Sequence, residues 1–278
     1  MTNTIADLIT GRFGLETTAG AERPAEGAVA GILGHSVCRS FKPDPIDDEL
    51  LEILLACAQS GPTKSNLQQY SIMVLRDKER IGRLAGLVPT MPWIADAPLV
   101  MVFLGDVRRI RQLADWRGHE YQNNVADTFM NAAVDAAIAL QSFVIAAEAE
   151  GLGTCPISYI RNRLDELQEL LALPEGVFPI AGLCVGWPAR RRPVSLRLPP
   201  SVVVHHETYD DSNLTEEVAA YDERAHERQP IAPGSQRHRD LYGELEKCVW
   251  SENVTRQLSR PERDKFADWL RRNGIRLD

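Results

Sequence analysis

The sequence predicts an α+β or α/β layer fold, with helices mixed with about five strands. Three observations carry this. Helical periodicities interleave with about five short strand-like runs. One of those runs, 98–104, is apolar on both faces, as a buried central strand requires. A long Ala-rich stretch, 124–150, is apolar around more than one face, which places that helix centrally in the fold or in a subunit interface. Such a mixture resolves into packed layers around one core.

The elements follow in order. Residues 1–27 read as an N-terminal arm, because Gly, Ala, Thr and Glu dominate 14–27 and Pro24 interrupts it. A short helix over 28–34 leads into His35-Ser36-Val37-Cys38-Arg39-Ser40-Phe41. Asp47, Asp48 and Glu49 suit the positive start of the next helix, which ends near Gly61-Pro62. A polar stretch over 62–69 precedes a strand at 71–75, a helix at 78–87 and the strand at 98–104. Gly151-Leu152-Gly153 stops the long helix. Then come a short strand at 155–157, a helix marked by Leu164, Leu167, Leu170 and Leu171, and a strand over 177–185. Residues 189–201 form a basic, Pro-rich loop, and 201–205 read as a last strand. The tail, about 213–278, reads as a charged helical extension with Trp250 and Trp269 as apolar anchors.

The 278-residue chain is 44% hydrophobic and 25% charged, ordinary values for a globular protein with a sizeable core. Lys and Arg total 31 against 39 Asp and Glu, a formal charge of −8. That balance argues against a nucleic-acid or anionic-membrane binder, yet permits a local basic pocket. The longest apolar runs are short or interrupted, so no membrane span is expected. Five cysteines without a CxxC pair indicate neither a disulfide framework nor a zinc ribbon, and point to a reducing, cytoplasmic setting. His205-His206-Glu207 lacks the HExxH spacing, so no metal site is expected there.

Several segments, in order and at consistent spacing over about residues 28–277, resemble the FMN-dependent nitroreductase family. The likeness lies within its flavin reductase and major oxygen-insensitive NAD(P)H nitroreductase subgroup. The family's His-Arg-Ser-x-Arg-x-Phe is matched by His35-Ser36-Val37-Cys38-Arg39-Ser40-Phe41. Its Ala-Pro-Ser-Ser-x-Asn-x-Gln-Pro-Trp is matched by Ser60 to Tyr70. Its Gly-Leu-Gly and the following turn correspond to Gly151-Leu152-Gly153 and on to Asn162. Gly182-Leu183-Cys184-Val185-Gly186-Trp187-Pro188 and Arg197-Leu198-Pro199 complete the set. The resemblance implies an α+β nitroreductase-like fold with a central, mostly antiparallel sheet flanked by helices, an interlocked homodimer with itself as partner, and one domain over 28–278 following the 1–27 arm. It implies FMN at each dimer interface, touched by both chains. It also implies NADPH or NADH as electron donor and a small-molecule acceptor: a nitroaromatic, a quinone or free flavin.

The resemblance also implies a set of cofactor-binding residues. His35, Ser36, Val37, Arg39 and Arg197 fall at positions near the phosphate and ribityl chain, where an arginine fork forms paired charge-assisted bonds. Thr63, Lys64, Ser65, Asn66 and Gln68 fall where polar groups line the pyrimidine edge of the ring. Pro156, Ile157, Ser158 and Tyr159 form the turn whose backbone N–H faces the flavin N5. No side chain is expected to be catalytic, since the flavin carries the chemistry. Arg237, His238 and Arg239 match the loop that selects NADPH.

The sequence departs from the pattern at several places. Ser36-Val37 replaces Arg-Ser, Ser195 stands where a loop lysine is usual, and Met91 where a ring-contacting Gln is usual. Lys64 replaces a Ser, Ser158 and Tyr159 replace Gly-Gly, and Pro233 and His238 replace arginines of the NADPH loop. Two alternatives therefore stay open. One is a specialised member acting on one metabolite, such as a dehalogenase or an oxidase. The other is a non-catalytic flavin-binding or sensing protein.

Overall fold

The computed structural model of the chain describes residues 3–278, which divide into two compact units. One comprises Ser36–Arg192 with Arg263–Asp278; the other comprises the chain up to His35 with Pro193–Glu262.

The first unit is built on a four-stranded sheet of β1 (Tyr70–Leu75), β2 (Leu99–Asp106), β3 (Gly153–Ile157) and β4 (Val177–Gly186). The strands lie in the order β1-β2-β4-β3, and every neighbouring pair is antiparallel. β2 is buried along its whole length, as its unbroken apolar run predicts. Side chains alternate between the faces with the period of two that a strand imposes. Val100, Val102, Leu104, Cys155, Ile157 and Cys184 point into one core. There they meet α4 (Lys78–Gly86) and α7 (Leu164–Leu171). Leu99, Met101, Phe103, Leu183 and Val185 point into a second core, against α3 (Asp48–Gln59) and α6 (Ala126–Ala149). The sheet is thus sandwiched between helices, the α+β fold that the resemblance implies. Asp47 caps α3 by accepting from the Leu50 amide at 2.8 Å. By length and composition α6 could cross a membrane, yet its inner stripe of Ala136, Ala139, Leu140, Phe143 and Ala147 is buried in the second core. A third cluster joins Phe178 to Trp269 and Leu270 of α12 (Phe266–Arg272). α5 (Arg108–Arg117) follows β2 and had no counterpart in the sequence expectations.

The second unit is helical. It holds α1 (Ile5–Phe13), α2 (Gly27–Gly34), α8 (Pro200–Val203), α9 (Leu214–Arg228), α10 (Arg239–Tyr242) and α11 (Trp250–Leu258). Two expectations are corrected here. The described residues form four strands, not five, and 201–205 contains no strand. Val202, Val203 and Val204 have strand-like side chains, but Pro199 and Pro200 preset a helical start and no neighbouring strand offers a ladder. Residues 5–13, inside the segment read as an arm, form a helix closed by a capping box between Thr4 and Asp7.

Candidate functional site

Segment 36–39 and the β3 turn come together in the first unit. The Cys38 amide donates to the Thr154 carbonyl at 2.8 Å, extending the sheet edge by one backbone contact. The approach is close because residue 153 is glycine. A Cβ there would lie 2.5 Å from the Cys38 Cβ and 2.7 Å from its Sγ. Phe41 forms a β-bridge with Pro188, fixing the other end of the segment. Arg39 is exposed, and burial pushes the Cys155 thiol upward while the charge of Arg39 pulls it partly back. Pro156 and Ser158 are exposed at the end of β3, while Ile157 is buried and Tyr159 packs against the first core. Val37 and Met91 pack against that same core. Two of the residues that depart from the family pattern, Tyr159 and Met91, therefore serve packing.

The loop that carries Thr63, Lys64, Ser65, Asn66 and Gln68 lies elsewhere in the unit. It leads into β1, one edge of the sheet, whereas the 156–159 turn ends β3, the opposite edge. Three strand spacings of about 4.8 Å, roughly 14 Å in all, separate those edges. Ser65, Asn66 and Gln68 all have left-handed backbones, with φ of 50°, 57° and 51°. For side chains other than glycine this conformation is costly and persists only where the surroundings impose it.

Two side chains impose it. Asp135, on α6 and 1% exposed, accepts from the Lys64 and Gln69 amides, each at 3.0 Å, and so brackets the loop. Arg109, on α5, donates to the Gln68 carbonyl at 2.8 Å and the Tyr70 carbonyl at 3.0 Å. Arg109 is itself held by Asp106 at 3.2 Å. Neither residue was visible as functional in the sequence. A lone acid in an Ala-rich helix reads as a solvent-facing position.

In the second unit, Arg197 is exposed and lines a pocket of about 240 Å³ with Ser195, Tyr221, His226 and Trp250. The Tyr221 hydroxyl donates to the Leu196 carbonyl at 3.4 Å, and burial raises its pKa while Arg197 opposes the rise. His35 lies at the end of α2, where its carbonyl accepts from Arg12 at 2.7 Å. The 237–239 stretch is held by its neighbour Gln236, also unread in the sequence. The buried Gln236 amide donates to the Leu245 carbonyl at 2.7 Å and accepts from the Leu245 amide at 3.0 Å. His238 has φ 45°, and Arg239 is paired with Glu244 at 3.4 Å.

Among the described residues, Arg39, Lys64 and Arg197 make no ion pair with a carboxylate, whereas Arg163, Arg256 and Arg260 each do at 2.6 Å. In the first unit the exposed Arg39 and Lys64, and the exposed amides and hydroxyl of the 65–68 loop, are groups of the kind that bind phosphates and polar ring edges; in the second unit Arg197 is another such cation.

Comparison with known proteins gives this geometry a family. Residues 32–187 match the model of the nitroreductase family, and residues 195–278 match that of the nitroreductase family C-terminal domain. Over 253 residues the chain is 32% identical to a Bacillus subtilis protein named FMN reductase, NAD(P)H, covering 90% of this chain and 98% of that one. It is 33% identical to the oxygen-insensitive NADPH nitroreductase of Salmonella typhimurium, covering 87% and 95%. Among solved structures, the NADPH:FMN oxidoreductase of Vibrio harveyi complexed with NAD+ superposes with a TM-score of 0.78. It is 28% identical, with 89% of this chain and 97% of that one covered. NfrA2 of B. megaterium superposes with a TM-score of 0.82 at 30% identity, covering 90% and 98%. The chain belongs to the nitroreductase family.

Proposed function

We propose that the chain is an FMN-dependent NAD(P)H oxidoreductase that reduces nitroaromatics, quinones or free flavin, and that it works as a cytoplasmic homodimer. FMN, when bound, would supply the hydride-transfer chemistry for a ping-pong cycle between NAD(P)H and the acceptor. The protein's part is to bind, orient and tune. Arg39 and Arg197 hold the phosphate, with Lys64 as a further cation, and His35, Ser36 and Val37 line its approach. Thr63, Ser65, Asn66 and Gln68 present polar groups to the ring edge. The backbone at Pro156, Ile157, Ser158 and Tyr159 faces its reactive centre. Arg237, His238 and Arg239 receive the nucleotide donor.

The observation that carries the reading is that Arg39 and Arg197, at positions where the resemblance puts the phosphate, are exposed and, among the described residues, have no carboxylate partner, with Lys64 a further such cation on the ring-edge loop. The dimer is supported by the separation of the 63–68 loop from the 156–159 turn at opposite sheet edges, because a second copy can bring a loop to each turn. It is also supported by exposed apolar side chains on α3 and α6: Ile53, Met130 and Val134, each at least half exposed. The cytoplasmic assignment rests on five free cysteines, of which Cys155 and Cys184 face each other across adjacent strands as thiols.

The test is the visible spectrum of the purified protein, recorded anaerobically before and after NADPH or NADH. A flavin spectrum that bleaches on addition is expected, and the faster donor identifies the preference. Colourless protein that takes up no FMN and oxidises neither nucleotide rejects the reading. Sedimentation at micromolar concentration is expected to give a dimer.

A further inference from the structure

α1 lies outside both family matches, which begin at residue 32 and resume at 195. A short appended helix is ordinarily a surface feature. This one, part of the second unit, buries Arg12 of its last turn to only 6% exposure. Burying a guanidinium is costly unless its donors are satisfied. Here Nε and both terminal nitrogens find backbone carbonyls. Nε donates to Leu33 O at 3.1 Å, and one terminal nitrogen donates to Leu33 O at 2.6 Å and His35 O at 2.7 Å. The other donates to Ser195 O at 2.9 Å. Leu33 is in the last turn of α2 and His35 follows it, so these carbonyls lie where a helix leaves acceptors unpaired and favours a cation.

The contact is returned. The Arg197 amide donates to the Arg12 carbonyl at 2.9 Å. The turn at Gly14, with φ of 66°, lays the chain against the Leu196 side chain. Phe13, Leu196, Arg197 and Tyr221 then share the lining of an adjoining apolar pocket of about 470 Å³. One residue of α1 therefore ties together two segments far apart in sequence, 33–35 and 195–197. These segments carry His35 and Arg197, and Ser195 occupies the place where the family pattern has a lysine.

We infer that Arg12 is a positioning residue for FMN, and that α1 fixes the phosphate-binding segments around His35 and Arg197 from outside the family core. The inference rests on the FMN reading above. It assigns the N-terminal helix a role in holding the cofactor's phosphate and none in holding its ring.

The experiment titrates the full-length protein, freed of flavin, with FMN and with riboflavin, which has the same ring and no phosphate. Arg12→Met is expected to weaken FMN by about tenfold or more, in line with a displaced charge-assisted contact, while riboflavin changes by less than about twofold. Arg12→Lys is expected to recover part of the loss. If Arg12→Met weakens both flavins by the same factor, or neither, the inference is overturned. Should Arg12→Met fail to fold, Thr4→Ala loosens the α1 cap without touching the buried carbonyls and is expected to shift the FMN-to-riboflavin ratio in the same direction. An unchanged ratio in that variant overturns the inference equally. Wild-type protein that binds neither flavin rejects the cofactor reading itself, a result distinct from these.

Discussion

Asp135 and Arg12 perform the same operation in opposite chemical senses. Asp135 is a buried carboxylate that collects backbone amides, those of Lys64 and Gln69. Arg12 is a buried guanidinium that collects backbone carbonyls, those of Leu33, His35 and Ser195. Each fixes a segment carrying proposed FMN ligands. They differ in what anchors them. Asp135 stands on a 24-residue helix whose inner face is locked into the second core. Arg12 stands on a 9-residue helix, of a length that is marginal alone and depends on its cap and its contacts. The ring-edge loop is thus tied to global stability, whereas the phosphate segments are tied to an element able to fray on its own.

The largest expected effect comes from breaking the core-anchored grip. Asp135→Ala leaves the buried Gln69 amide and the part-buried Lys64 amide without their acceptor, so a loss of about 1–3 kcal/mol or somewhat more in urea unfolding is expected, with weakened FMN and riboflavin binding together. A variant that retains wild-type stability and both affinities would show that the loop holds itself. A smaller effect of opposite sign is expected from relieving the strain that Asp135 opposes. Gln68→Gly removes a side chain from a φ of 51° and is expected to stabilise by up to about 1 kcal/mol. In an Asp135→Ala background the same change is expected to recover part of the loss, read as coupling in a double-mutant cycle.

The smallest effect tests the other anchor by pH. The Thr4 backbone and side chain, through their hydrogen bonds to its carboxylate, hold Asp7 below its ordinary value of 3.8. A group depressed in the folded state stabilises above its unfolded pKa and loses that contribution as pH falls through the folded one. Amide exchange in α1 is therefore expected to quicken at pH values below 3.8, before exchange in α6 does. Equal protection of both helices there would show that α1 is no more able to fray than the core.

Much of this was legible in the sequence. Apolar periodicity located β2, α3, α6 and α7, and motif order located the segments 35–41, 62–69 and 156–162. What escaped has physical reasons. α5 is dominated by Arg108, Arg109, Arg111 and Arg117 and has no buried residue, so it offers no hydrophobic stripe to read. The run at 201–205 was read from β-branched side chains, whereas backbone restriction by two prolines decided its conformation. Asp135, Arg12 and Gln236, and Arg109 in its grip on the Gln68 and Tyr70 carbonyls, escape a sequence reading because the partners are main-chain groups, which carry no residue-type signature. Only the folded backbone shows which amides and carbonyls lack ladder partners and which side chain meets them.

That preference for main-chain partners bears on how the protein can change. The course of the 64–69 loop is fixed largely through its main-chain groups, so Ser65, Asn66 and Gln68 can change among residues that tolerate a left-handed backbone without redirecting the chain that displays them. A library randomised at those three positions would sample new ring-edge chemistries on one preserved scaffold. The same separation of display from support gives a lineage room to shift acceptors by small steps, each leaving the framework intact.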